Sequence, residues 1–228
     1  MRIPQKITAL RRRLERRECP KEPISTGTPL DRLLPSGGLR PGSLVEFLGS
    51  GAGSVAILAA HAACQDGRTF IVFDRQNHFY PPAAGAWGID LSQTLIARSA
   101  DTVEELWAVD QALRCPGVGA VWLVCGRIAA HDFRRLQLAA ECGGTLGLLL
   151  RPAKFRGQPT WADVRWMVEP QPSCDRRRLR VELVRCRGAT TGKSMFLEFD
   201  EQAKVWVDHA THPVYSSAEL AYSVQTGT

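Results

Sequence analysis

Short apolar runs alternate with helix-length segments through the middle of this chain, and that alternation constrains the fold more than any other feature. Residues 43–48, 70–74, 94–97, 118–125 and 145–150 read as strands, and residues 55–64, 83–87, 102–114 and 132–142 as helices. The run 118–125 is apolar throughout, with no polar alternation, as expected of a strand buried on both faces. In 102–114, by contrast, Val103, Leu106, Trp107, Val109 and Leu113 recur at helical spacing. Strand–helix alternation of this kind predicts an α/β fold with a largely parallel sheet flanked by helices. From residue 164 onward only strands are read, at 164–168, 179–186, 195–199 and 204–207, which predicts an antiparallel C-terminal extension of the sheet.

A glycine-rich junction sits at the first strand-to-helix crossing, in "VEFLGSGAGSVAILAA". Gly49, Ser50, Gly51, Gly53 and Ser54 lie where a phosphate-binding loop would deliver backbone N–H groups and a helix N-terminus to an anion. The lysine that completes such a loop is missing, since Gly53 is followed by Ser54 and Val55. A second stretch, "GATTGKSM", carries Gly192-Lys193-Ser194, but its first glycine is one residue too close and Arg187 stands where it belongs. That stretch joins two strands. A phosphate loop must lead into a helix, so residues 188–193 read as a hairpin turn with a solvated Lys193.

Charge is placed unevenly. Residues 1–21 carry eight Lys/Arg and two Asp/Glu, whereas the remainder is balanced, so the net charge of +6 belongs to an N-terminal arm. Within it Ile3, Ile7, Leu10 and Leu14 form one apolar stripe of a helix over 4–17, with arginines including Arg12 and Arg13 on the other faces. So short a helix is marginal alone. The reading is therefore a docking element for its own domain, a neighbour or a partner. Cys19-Pro20-Lys21-Glu22-Pro23 breaks it. Domain boundaries follow at 1–23 (basic helix and linker), 24–210 (core) and 211–228 (tail).

Several function classes are disfavoured. No apolar run approaches the roughly 18 residues of a membrane span, and the arginine-rich start is no secretory signal. Seven cysteines without a C-x-x-C pair argue for reduced thiols in a cytoplasmic protein, against disulfides and against zinc. His209 and His212 read as surface residues, and no metal or cofactor is expected.

"ISTGTPLDRLLPSGGLRPGSLVEFLG" followed by "DGRTFIVFD" resembles the core of the RecA recombinases. The order of Ile24-Ser25-Thr26-Gly27, Leu30-Asp31, Gly37-Gly38-Leu39, Val45-Glu46 and Gly88-Ile89-Asp90 carries the resemblance over residues 24–208. It implies that the loop should end in Gly-Lys-Thr, where this chain has Gly53-Ser54-Val55. An aspartate after the next strand is kept as Asp74, but the glutamate that positions water is Gln76, and the magnesium-associated aspartate is Cys125. A glutamine cannot take a proton from water, a role worth about 10²–10⁴ in rate. A thiol with a reference pKa of about 8.5 is a poor ligand for magnesium. The implied protein is a pseudo-ATPase, not an enzyme. Lys154, Arg156 and Trp161 lie where the resemblance places a DNA-binding loop. They are candidate contacts to a single strand, or else part of a solvated turn.

"HDFRRLQLAAECGGTLGLLLRPA", "RPAKFRGQPTWADVRWMVEP" and "LRVELVRCRG" resemble, more narrowly, the ImuA family, which is related to RecA and to the division inhibitor SulA. The resemblance implies an inactive RecA-like accessory protein of damage-induced (SOS) translesion synthesis and mutagenesis, working by protein contact. The implied partners are an ImuB-type inactive Y-family polymerase homologue, an error-prone C-family DNA polymerase and RecA. The alternatives are a weak ATP- or single-strand-binding regulator of recombination, or a SulA-type division inhibitor.

Overall fold

A computed structural model describes residues 22–173, 176–200 and 205–208. The expected N-terminal helix, with Ile7, Leu10, Leu14, Arg12 and Arg13, lies outside the described residues, as do the tail, His209 and His212.

The chain enters through a β-bridge between Ile24 and Leu39. Between them Pro29–Leu33 forms one turn of 3-10 helix. Thr28 caps it by accepting from the Leu30 N–H, and Asp31 accepts from the Thr26 and Gly27 N–H groups and from both flanking hydroxyls. Helix and strand then alternate as expected: β1 (Leu44–Leu48), α1 (Ala52–Ala63), β2 (Thr69–Phe73), α2 (Pro81–Ala86), β3 (Thr94–Ala97), α3 (Thr102–Leu113), β4 (Val118–Val124), α4 (Ala130–Gly143), β5 (Leu146–Arg151) and β6 (Val164–Gln171). β7 (Arg178–Cys186), β8 (Ser194–Asp200) and β9 (Val205–Asp208) complete the described chain. One nine-stranded sheet results, in the order β3-β2-β4-β5-β1-β6-β7-β8-β9. It is parallel from β3 to β6 and antiparallel from β6 onward.

Two boundaries correct the sequence reading. α1 begins at Ala52 rather than Val55, so Gly53 and Ser54 lie in its first turn. β6 runs on to Gln171, because its antiparallel pairing with β7 continues past the apolar segment to Gln171 and Arg178.

β1, β2 and β5 are buried along their whole length and β4 as far as Leu123, which explains the unbroken apolar runs. Val45, Phe47, Trp122, Leu148 and Trp166 pack under α1 on one face, and Leu44, Val121, Leu123 and Leu149 under α3 and α4 on the other. On that second face, between Leu44 and Leu48, Glu46 is fully buried. Arg151 of β5 and Arg165 of β6 meet its two carboxylate oxygens at 2.5 and 2.6 Å. The crossover from β5 to β6 closes over this triad, because the Arg165 Nη1 also donates to the carbonyls of Arg156 and Gln158.

Candidate functional site

The glycine loop follows β1 as expected, but its backbone is turned inward. The Gly49 N–H donates to the Arg151 carbonyl, Gly51 to Val168, Ala52 to Gly49 and Ser54 to Gly51. A phosphate nest needs such N–H groups converging on the anion. The glycines answer to packing instead. Gly49 has φ +96°, and a Cβ there would sit 2.5 Å from the Val168 carbonyl oxygen; a Cβ on Gly51 would sit 2.7 Å from Val168 Cγ1. Both are small because β6 passes directly beneath. From just before β7, Arg177 reaches across and donates to the Ser54 hydroxyl at 2.6 Å, with its guanidinium 6.0 Å from the Trp87 ring centre.

The two companion positions are also structural in setting. Asp74 is buried and accepts the His78 and Phe79 N–H groups, each at 2.8 Å, so it folds the turn after β2. Gln76 is exposed in that turn. Cys125 directly follows β4 with its N–H on the Leu150 carbonyl, and burial pushes its thiol up to about 12 against the lowering effect of Arg151. Glu105 in the first turn of α3 escaped the sequence reading. It is buried, and desolvation raises its pKa, while Arg75 opposes that and Asp74 adds to it. An acid in a first helical turn reads from sequence as a dipole partner in water. Nothing local reveals that the sheet covers it.

"GATTGKSM" stands at the other end of the molecule. β1 pairs Val45 with Val164, and β6 pairs Val164 with Cys186, so the β7–β8 hairpin extends from the level where β1 begins. The glycine loop lies past the level where β1 ends. Gly192 donates to Leu183, Leu183 donates to Lys193, and the Lys193 side chain is exposed. The hairpin reading holds, with φ of +83° at Gly188 and +85° at Gly192.

The three candidate DNA contacts are not brought together. Arg156 makes a two-pronged pair with Glu182 of β7, whose carboxylate raises the Arg156 pKa while its own is lowered. Lys154 is exposed, with its ammonium 5.6 Å from the centre of the Phe155 ring. Trp161 is 48% exposed and carries the Arg134 guanidinium 5.2 Å from its centre. Trp161 lines a concavity with Arg127 and Arg185, two basic residues absent from the sequence-based set, and without Lys154 or Arg156. Among the described residues no cluster of side chains could hold a metal ion, and no helix is long and apolar enough to cross a membrane.

No protein-family model matches the chain. Among solved structures it is similar to the RadB recombinase, with a TM-score of 0.63 and 17% identity over 82% of this chain and all of that one. That likeness bears out the RecA-like fold. Among curated proteins it is similar to Protein ImuA of Caulobacter vibrioides, in two strains. Identity is 27% over 231 residues, covering 89% of this chain and 91% of the relative. The chain thus has a RecA-like fold and is similar to Protein ImuA along nearly its whole length.

Proposed function

We propose that this chain is a catalytically inactive RecA-like accessory protein of damage-induced translesion DNA synthesis, acting through protein contacts. Its partners on this reading are an ImuB-type inactive Y-family polymerase homologue, an error-prone C-family polymerase and RecA.

The observation that carries the inactive half is the state of the glycine loop. Four of its N–H groups already donate to backbone carbonyls, its lysine is replaced by Ser54, and Arg177 is hydrogen-bonded to that serine. A nucleotide would have to break these contacts and would find no magnesium carboxylate at Cys125 and no general base at Gln76. The accessory half is supported by the similarity to Protein ImuA along nearly the whole chain.

The test is phosphate release from ATP with magnesium, with and without single-stranded DNA, beside co-purification of the chain with an ImuB-type protein from damage-treated cells. Release at buffer background, unchanged in Lys193→Ala, and recovery of the ImuB-type partner are expected. Turnover above background that a loop substitution such as Gly51→Val removes would overturn the inactive reading. Absence of any polymerase-related partner would overturn the accessory one.

A further inference from the structure

The concavity beside Trp161 has a volume of about 670 Å³ and lies between the β4–α4 connection and the β5–β6 crossover. Phe133 and Ile128 give it an apolar wall, and Pro159, Trp161, Arg127 and Arg185 surround them. No acidic side chain lines it. We propose that this groove docks an acidic segment of a partner protein, anchored by one aromatic or large aliphatic side chain. The proposal rests on the protein-contact reading above and names the surface it would use.

Charge is the first argument. The arginines nearby are mostly neutralised inside the fold: Arg156 by Glu182, and Arg151 and Arg165 by Glu46. Arg134 donates to Gln137 and lies over Trp161. Arg127 makes no hydrogen bond or ion pair among the described residues, and Arg185 uses only its Nε, on the Ala162 carbonyl. Two exposed guanidiniums therefore face a groove that holds no carboxylate. Carboxylates are the complementary groups, and Arg accepts them in a two-pronged geometry.

Shape is the second. The volume falls within the ~300–1,000 Å³ typical of a binding pocket. A bounded recess with an apolar wall and a charged rim suits one buried anchor residue flanked by polar contacts. A single DNA strand needs something else: a basic track for at least ~4 nucleotides with successive stacking platforms. Here one exposed tryptophan is available, it already bears an arginine, and Lys154 and Arg156 lie outside the groove.

The full-length chain with a photo-crosslinking benzoylphenylalanine in place of Gln158, a groove residue, tests the proposal in damage-treated cells. The same chain carrying Arg127→Glu and Arg185→Glu serves as its pair. A crosslinked partner peptide of net negative charge containing an aromatic or large aliphatic residue is expected. Its yield should fall at least tenfold in the double reversal, with the melting temperature of the chain unchanged. If the ImuB-type partner still co-purifies but the groove crosslinks nothing, or a neutral or basic peptide, the groove is refuted and the accessory reading stands. If no partner is recovered by either route, both fall. Fluorescein-labelled oligo-dT is the remaining arm. Micromolar binding that the double reversal abolishes would assign the groove to nucleic acid instead.

Discussion

Replacing Glu46 by glutamine removes one negative charge and almost no volume from the centre of the sheet. Glu46 is fully buried, and Arg151 and Arg165 are 2% and 4% exposed in their side chains. The substitution leaves two buried guanidiniums without a counter-charge. It also turns one oxygen acceptor into an NH₂ donor that faces an arginine N–H. Deleting one partner of a buried ion pair destabilises by about 3–5 kcal/mol. At roughly 2–4 °C per kcal/mol for a chain of this size, the melting temperature of Glu46→Gln should fall by about 6–20 °C. Urea unfolding followed by tryptophan fluorescence gives the free energy directly, with the m-value checking that the unfolded state is unchanged. A useful companion is the apolar triple Glu46→Met, Arg151→Met, Arg165→Leu. It removes the stranded charges but also three donations to carbonyls, from Arg151 to Gly126 and from Arg165 to Arg156 and Gln158. Each such bond is worth about 1 kcal/mol. The triple should therefore be no less stable than Glu46→Gln, although it alters three residues. A loss below about 1 kcal/mol in Glu46→Gln, or a triple much less stable than the single, would refute the reasoning.

Burial raises the Glu105 pKa, so the charged form is disfavoured in the folded state, and that penalty is present above the folded-state pKa and absent below the unfolded value. Glu105→Gln should accordingly raise the melting temperature at pH 7, with the gain shrinking as pH falls towards 4; a loss at pH 7 would contradict it. The Cys64 and Cys125 thiols are both pushed up to about 12 by burial, whereas Cys142 is exposed on α4. In native protein at pH 8 an alkylating reagent read by peptide mass spectrometry should label Cys142 quickly and reach Cys64 and Cys125 only after unfolding. Rapid labelling of Cys125 would mean that the end of β4 is open. In the N-terminal arm, Leu10→Asp with Leu14→Asp should abolish partner association and leave the melting temperature nearly unchanged. Charge reversal at Arg12 and Arg13 should mainly slow association. Retention of partners by the leucine pair would rule out a docking stripe.

The strands, the helices and their order were legible because strand burial and helix periodicity are written locally. A run such as "AVWLV" is uniformly apolar only if both faces of its strand are covered, as Ala120, Val121, Trp122 and Leu123 are. The hairpin glycines Gly188 and Gly192 are likewise short-range chemistry. The losses at the lysine, glutamate and aspartate positions needed no coordinates either. How the backbone of the glycine loop is hydrogen-bonded was decided only in three dimensions. Whether its N–H groups face outward or donate to Arg151 and Val168 depends on β5 and β6, strands distant in sequence, with β6 passing under Gly49 and Gly51. The fate of the arginines was equally non-local. Arg156 and Arg127 look alike in sequence, yet the first is held by Glu182 of β7 and the second faces an open groove. Charge type is a property of the residue; whether a charge is paired depends on which strand the sheet lays beside it.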